Sequence, residues 1–115
     1  MKKFKVDLSK LEGQRYEKLQ YLLSEGLVDF QYIYKTGPTA GTIRKATGSS
    51  NPYFIDESAF PSGEGESRDQ ELYTTYFDSG RNEWRCCVNQ NITFIGNTIT
   101  LPDDNNPNED IFKPI

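Results

Sequence analysis

Apolar positions change their spacing along this chain, and the change marks out the elements. Leu11, Tyr16, Leu19, Leu22 and Leu23 recur at three- and four-residue intervals, the stripe of a helix with one buried face. Ser9 and Glu12 stand at capping-box spacing ahead of it, and Gly26 is a natural stop. A helix is therefore predicted over residues 9–25. Gly13 costs that helix about 1 kcal/mol, so its firm part begins after the glycine. The period then drops to two. Val28, Phe30, Tyr32 and Tyr34 alternate with Asp29, Gln31 and Ile33, which is a strand with one apolar face. Residues 35–41 form a loop by their two glycines and proline. Thr42–Thr47 returns as a strand, with Ile43 on one face and Arg44 and Ala46 on the other. Leu72–Phe77 is the next strand, and Asp78–Asn82 is a turn by composition. Trp84–Val88 follows, with Trp84, Cys86 and Val88 on one face, read as the core face. Asn89–Asn91 turns the chain, as one 3₁₀ turn would, and Ile92–Ile95 is the last strand.

Two stretches lack this order. Residues 48–71 form a long acidic loop with no long periodic element; Pro52–Ile55 is the exception, a short edge strand or a plug against the core. A stretch of that length without structure is unusual inside a compact domain. Residues 102–115 read as an acidic, disordered tail, with Ile111 and Phe112 available to dock. One helix and about five short strands, paired as two hairpins across a long connection, give a mainly β domain over residues 1–101. It is expected to be a small, partly open antiparallel barrel, which limits bare sheet edges.

Composition agrees with one domain. The 115 residues are 35% hydrophobic, enough for a single modest core, helped by seven Tyr, seven Phe and one Trp. No segment approaches the ~18 consecutive apolar residues of a transmembrane helix. The start, MKKFKVDLSKLEG, has no apolar run after its basic residues, so it is not read as a signal peptide. Cys86 and Cys87 are adjacent and point to opposite faces of a strand, which rules out an ordinary disulfide between them. A cytoplasmic protein without membrane contact is expected. The net charge of −4 is unevenly spread. Residues 1–55 carry nine Lys/Arg against five Asp/Glu, whereas residues 56–71 carry one Arg against six acids.

Several chemistries are missing. The chain has no histidine, and so lacks the usual general base and the commonest metal ligand. Adjacent cysteines cannot provide zinc-site spacing. Gly63-Glu64-Gly65-Glu66 would repel a phosphate. Asp104, Asn106 and Asn108 begin a calcium-loop pattern, but Glu109 and Ile115 occupy the positions that need glycine and glutamate. No catalytic residue, metal or cofactor is expected, and the protein is expected not to be an enzyme.

Two binding surfaces compete. In the first, the 48–71 loop offers Tyr53, Phe54 and Phe60 among Glu64, Glu66 and other acids, to a protein partner with a basic patch. In a phage or mobile-element chain, such a loop would imitate nucleic acid and block a host protein. In the second, Lys35, Arg44 and Lys45 lie along a hairpin with Tyr32 and Tyr34, and Arg85 lies on a nearby strand. Basic residues interleaved with rings suit single-stranded nucleic acid, where cations meet phosphates and rings stack on bases. The acidic total opposes tight non-specific binding. An unidentified protein is the expected partner, with nucleic acid the alternative; oligomeric state is not legible.

The run Phe30-x-Tyr32-x-Tyr34-Lys35, followed by Gly41-Thr42-Ile43-Arg44-Lys45-Ala46-Thr47-Gly48, resembles the motif F-x-Y-x-K-x-G-x-x-R-x-A-x-G. That motif marks the SH3 β-barrel fold-containing proteins, a family of small uncharacterised proteins from gut anaerobes, their phages and mobile elements. Tyr76-Phe77-Asp78, Trp84-Arg85 and Asn91-Ile92 are similar to its closing segment. The resemblance spans residues 9–95 and implies an SH3-like barrel, with no established activity or catalytic residues. The chain departs from it in the longer loop after Lys35, at Cys86-Cys87 and in the acidic tail.

Overall fold

In a computed structural model, the described residues are 2–34, 41–59, 69–103 and 107–115. Seven strands and one helix follow in the order β1 (Lys2–Val6), α1 (Arg15–Glu25), β2 (Leu27–Ile33), β3 (Ile43–Ser49), β4 (Tyr73–Asp78), β5 (Glu83–Val88), β6 (Ile92–Leu101) and β7 (Phe112–Pro114). They form one open antiparallel sheet in the order β5-β4-β3-β2-β6-β1-β7. This is the mainly β, SH3-like architecture with a helix near its start. Within it β5, β4, β3, β2 and β6 lie side by side in that order, with a 3₁₀ turn at Asn89–Asn91 before β6.

The helix starts later than its apolar stripe. Gly13 has φ +95°, a left-handed conformation that ends any helical path from Ser9. Ser9 instead gives its backbone N–H and hydroxyl to Asp7. The working cap pairs Gln14 with Glu17, whose carboxylate accepts the Gln14 N–H at 3.1 Å. From there Leu19, Leu22 and Leu23 are buried against the sheet. Gly26 ends the helix for a packing reason: a Cβ there would lie 2.2 Å from the Thr100 carbonyl oxygen. The C-terminal end of α1 also holds the next loop. Ser49 donates its hydroxyl to the Leu23 carbonyl at 3.0 Å, and the Asn51 amide reaches the carbonyls of Ser24 and Glu25.

Val28, Phe30 and Tyr32 of β2 point into the core, as their alternation predicts. β5 has the opposite phase to the one expected. Its register sets Cys87 opposite Thr74 and Arg85 opposite Tyr76, so Cys87 faces the core while Trp84, Cys86 and Val88 face away. Trp84 instead packs edge-on against Phe77, ring centres 5.7 Å apart. In a run reading Trp-Arg-Cys-Cys-Val, either phase offers apolar residues, and β4 decides between them.

Three further differences enlarge the sheet. β1 was not expected; Phe4 and Val6 bury its inner face and Lys3 pairs with Thr100 of β6. β6 runs on to Leu101 because its second half pairs with both β2 and β1. The tail expected to be disordered returns as β7, with Val6 opposite Phe112, which is almost wholly buried. Pro52–Phe54 and Glu57–Ala59 are 3₁₀ turns rather than an edge strand, and Ile55 between them is buried. Among the described residues no helix is long and apolar enough to cross a membrane.

Candidate functional site

The β2–β3 hairpin carries most of the residues singled out for nucleic acid, and pairing determines where each points. Tyr32 lies opposite Arg44, and Gln31 opposite Lys45. Opposite residues share a face, so Tyr32 and Arg44 turn inward. Tyr32 is buried, its hydroxyl 2.8 Å from that of Tyr76. It cannot stack on a base. Arg44 places an amino group 2.6 Å from the Asp78 carboxylate, which is itself buried. Burial, the largest single influence, opposes the charge of the guanidinium, but the Asp78 hydrogen bond, the Asp78 charge and the neighbouring Tyr34 and Tyr76 together outweigh it, and the pKa of Arg44 stands above its ordinary value. The other Asp78 oxygen accepts the N–H groups of Gly80 and Arg81. Arg44 is therefore the anchor of the β4–β5 turn. Its buried Nε has no hydrogen-bond partner.

Arg85 is also paired, giving Nε and an amino group to one oxygen of Glu83 at 3.1 and 2.9 Å. That hydrogen bond raises its pKa. Tyr34 is half-buried against Tyr32, ring centres 5.9 Å apart. Lys35 lies outside the described residues. Of the proposed phosphate and base contacts, Lys45 alone among those described is both exposed and without an ion pair. The hairpin thus gathers most of the expected residues, but its Arg44, like Arg85 on β5, is committed to a carboxylate of the fold.

Of the acidic-loop residues, Tyr53 is 50% exposed and meets Phe54 edge-on at 5.0 Å. Its hydroxyl lies 3.4 Å from Asp103. Phe60, Glu64 and Glu66 lie outside the described residues. Among the described residues no three His, Cys, Asp or Glu side chains gather as a metal site.

The outer face of the hairpin holds what was not singled out. Ile33 lies opposite Ile43, and Gln31 lies between Lys45 on β3 and Phe94 on β6. Ile43 is 59% exposed and Phe94 50%. This apolar strip adjoins an unfinished strand edge. The Tyr34 N–H donates to the Thr42 carbonyl at 3.0 Å, so by alternation Ile43, Lys45 and Thr47 direct their backbone groups away from β2. The Thr47 carbonyl is met by the Ser79 N–H at 2.9 Å. Beyond it β4 turns off, since β3 pairs with β4 only at Gly48–Asp78 and Ser49–Phe77. No other described strand meets Ile43 and Lys45. In the sequence, the sign of this was Ile43 on the polar phase of its strand.

The fold and one sequence comparison agree. Residues 16–93 match the WYL_2 family, described as having an Sm-like SH3 beta-barrel fold. The chain belongs to the WYL_2 family. The match takes in α1 and the strands from β2 to β5, and ends as β6 begins. β1, β7 and most of β6 are outside it. No curated protein and no solved structure matches the chain.

Proposed function

We propose that this WYL_2 protein is a non-enzymatic binding module that captures a partner protein along the open side of β3. The observation that carries the proposal is the coincidence of exposed Ile43 and Phe94 with the unpaired backbone groups of Ile43 and Lys45. An extended partner segment gains main-chain hydrogen bonds from such an edge and specificity from side chains beside it. Ile33, Ile43 and Phe94 select apolar residues, and Lys45 favours an acidic neighbour.

The non-enzymatic reading is supported by the chemistry of the described site residues. The chain has no histidine. Burial pushes the Cys87 thiol up to about 12, far from the thiolate a nucleophile needs. The barrel's carboxylate Asp78 is bound to Arg44 and to a turn.

The test is affinity capture followed by hydrogen exchange on the complex. Ile43→Pro removes an N–H that faces away from β2, so the hairpin ladder survives while strand addition does not. Capture should fall at least tenfold with Ile43→Pro and with Phe94→Asp, and the Ile43 and Lys45 amides should slow on binding. A partner retained by both variants, but lost when residues 56–70 are deleted, would move the site to the acidic loop.

A further inference from the structure

The sheet has a second outer face, built where the family match ends. β1 pairs with β6 so that Lys3 faces Thr100 and Lys5 faces Thr98. Phe4, Val6, Ile99 and Leu101 fill the inner side, which leaves Lys3, Lys5, Thr98 and Thr100 on the outer side. β7 continues the row by placing Lys113 directly opposite Lys5. All three lysines are exposed, and among the described residues none makes an ion pair. Like charges facing each other across a strand pair are mildly destabilising, a cost that an anion bound over the row would remove. Asp7 follows directly after β1, at the start of a 3₁₀ turn. Its carboxylate is engaged by Ser9, which holds its pKa down, and it senses both Lys10 and Lys113. Beside the row, Lys2, Lys3, Phe4, Pro114 and Ile115 line an open depression of about 440 Å³.

We propose that the outer face of β6–β1–β7 binds the phosphate backbone of duplex nucleic acid. Successive outward residues on a strand stand about 6.6 Å apart and neighbouring strands about 4.8 Å. Lys3, Lys5 and Lys113 therefore present three cations within the span of a few phosphates, with the hydroxyls of Thr98 and Thr100 as further donors. Contacts of this kind position a protein without reading sequence. Single strands need rings for stacking, and no exposed ring of the described residues lies among these lysines: Phe94 sits beside Gln31 and Tyr53 on its own turn. This surface is separate from the hairpin, whose Arg44 is paired with Asp78, and from the β3 edge.

Fluorescence anisotropy with a labelled DNA duplex of about two helical turns tests the proposal. Three phosphate contacts give an affinity loss of about 40-fold between about 50 and 200 mM salt. Lys3→Glu/Lys5→Glu/Lys113→Glu should abolish binding. Lys113→Glu alone places opposite charges across from each other, so its melting temperature should not fall while duplex affinity drops several-fold. That variant separates a binding role from a structural one. No binding at low salt, salt-independent binding, or an unchanged affinity in Lys113→Glu would overturn the proposal. So would tighter binding to a matching single strand, or binding to phosphatidylserine vesicles without binding to the duplex.

Discussion

Arg44 sits beneath the hairpin against a buried carboxylate, while Lys5 stands at the sheet's other end facing a second lysine. Both are cations on paired strands. At Arg44 the anion is part of the fold: Asp78 binds the guanidinium and two turn N–H groups at once, so that removing either partner strands a buried charge. At Lys5 no described residue supplies an ion-pair partner, and the cation remains available to something outside the chain. Position in the sequence does not separate the two. Burial and the register of the neighbouring strand do, and together they sort structural charge from binding charge.

The largest test of this contrast is Asp78→Ala. It leaves Arg44 in a largely buried site without an anion and removes the turn's acceptor, so it should cost about 3 kcal/mol or more in urea denaturation. A loss below about 1 kcal/mol would mean that Arg44 swings out to solvent, and the two regions would then differ less than their geometry implies. Next comes Tyr76→Phe, which leaves the buried Tyr32 hydroxyl without its partner and should cost about 1–3 kcal/mol. The double variant Tyr32→Phe/Tyr76→Phe should cost less than the sum of the two single ones, because it removes the orphan.

Alkaline pH probes the same interior. Burial raises the Cys87 thiol from 9.0 to about 12. Between those values the unfolded chain has lost a proton that the folded chain keeps, so stability falls as pH rises, by up to about 1.4 kcal/mol per pH unit. Burial first, and then the Tyr32 hydrogen bond, raise Tyr76 as well, which adds to the loss above pH 10. Cys87→Ala should flatten the slope in denaturation series from pH 8 to 11. The smallest expected effect is at the lysine edge, where Lys113→Glu should change stability by less than about 1 kcal/mol, and upward.

Much of this fold was legible because local period and local burial coincide. Leu19, Leu22 and Leu23 specify the buried face of α1, and Val28, Phe30 and Tyr32 that of β2, since each set has one apolar side and only one way to hide it. Legibility failed where two phases were equally apolar, as at Cys86-Cys87, and where an element was too short to show a period. Lys2–Val6 and Phe112–Pro114 contain few apolar residues each; they become strands because residues a hundred positions apart supply each other's hydrogen bonds. Arg44 of the hairpin was visible as a cation, but Asp78 lies on another strand, and the pairing that neutralises Arg44 has no local signature.

The sequence by itself determined the mainly β class, the helix after Gly13, the hairpins and the family. The first three follow from spacing within some twenty residues, which chain stereochemistry converts directly into local structure; the family rests on a motif resemblance spread over residues 9–95. Tertiary structure alone decided which cations are spent, which edge of β3 is open, and how the two ends of the chain build a common basic face. Those outcomes depend on register between distant strands, where moving a strand by one residue exchanges its inner and outer faces.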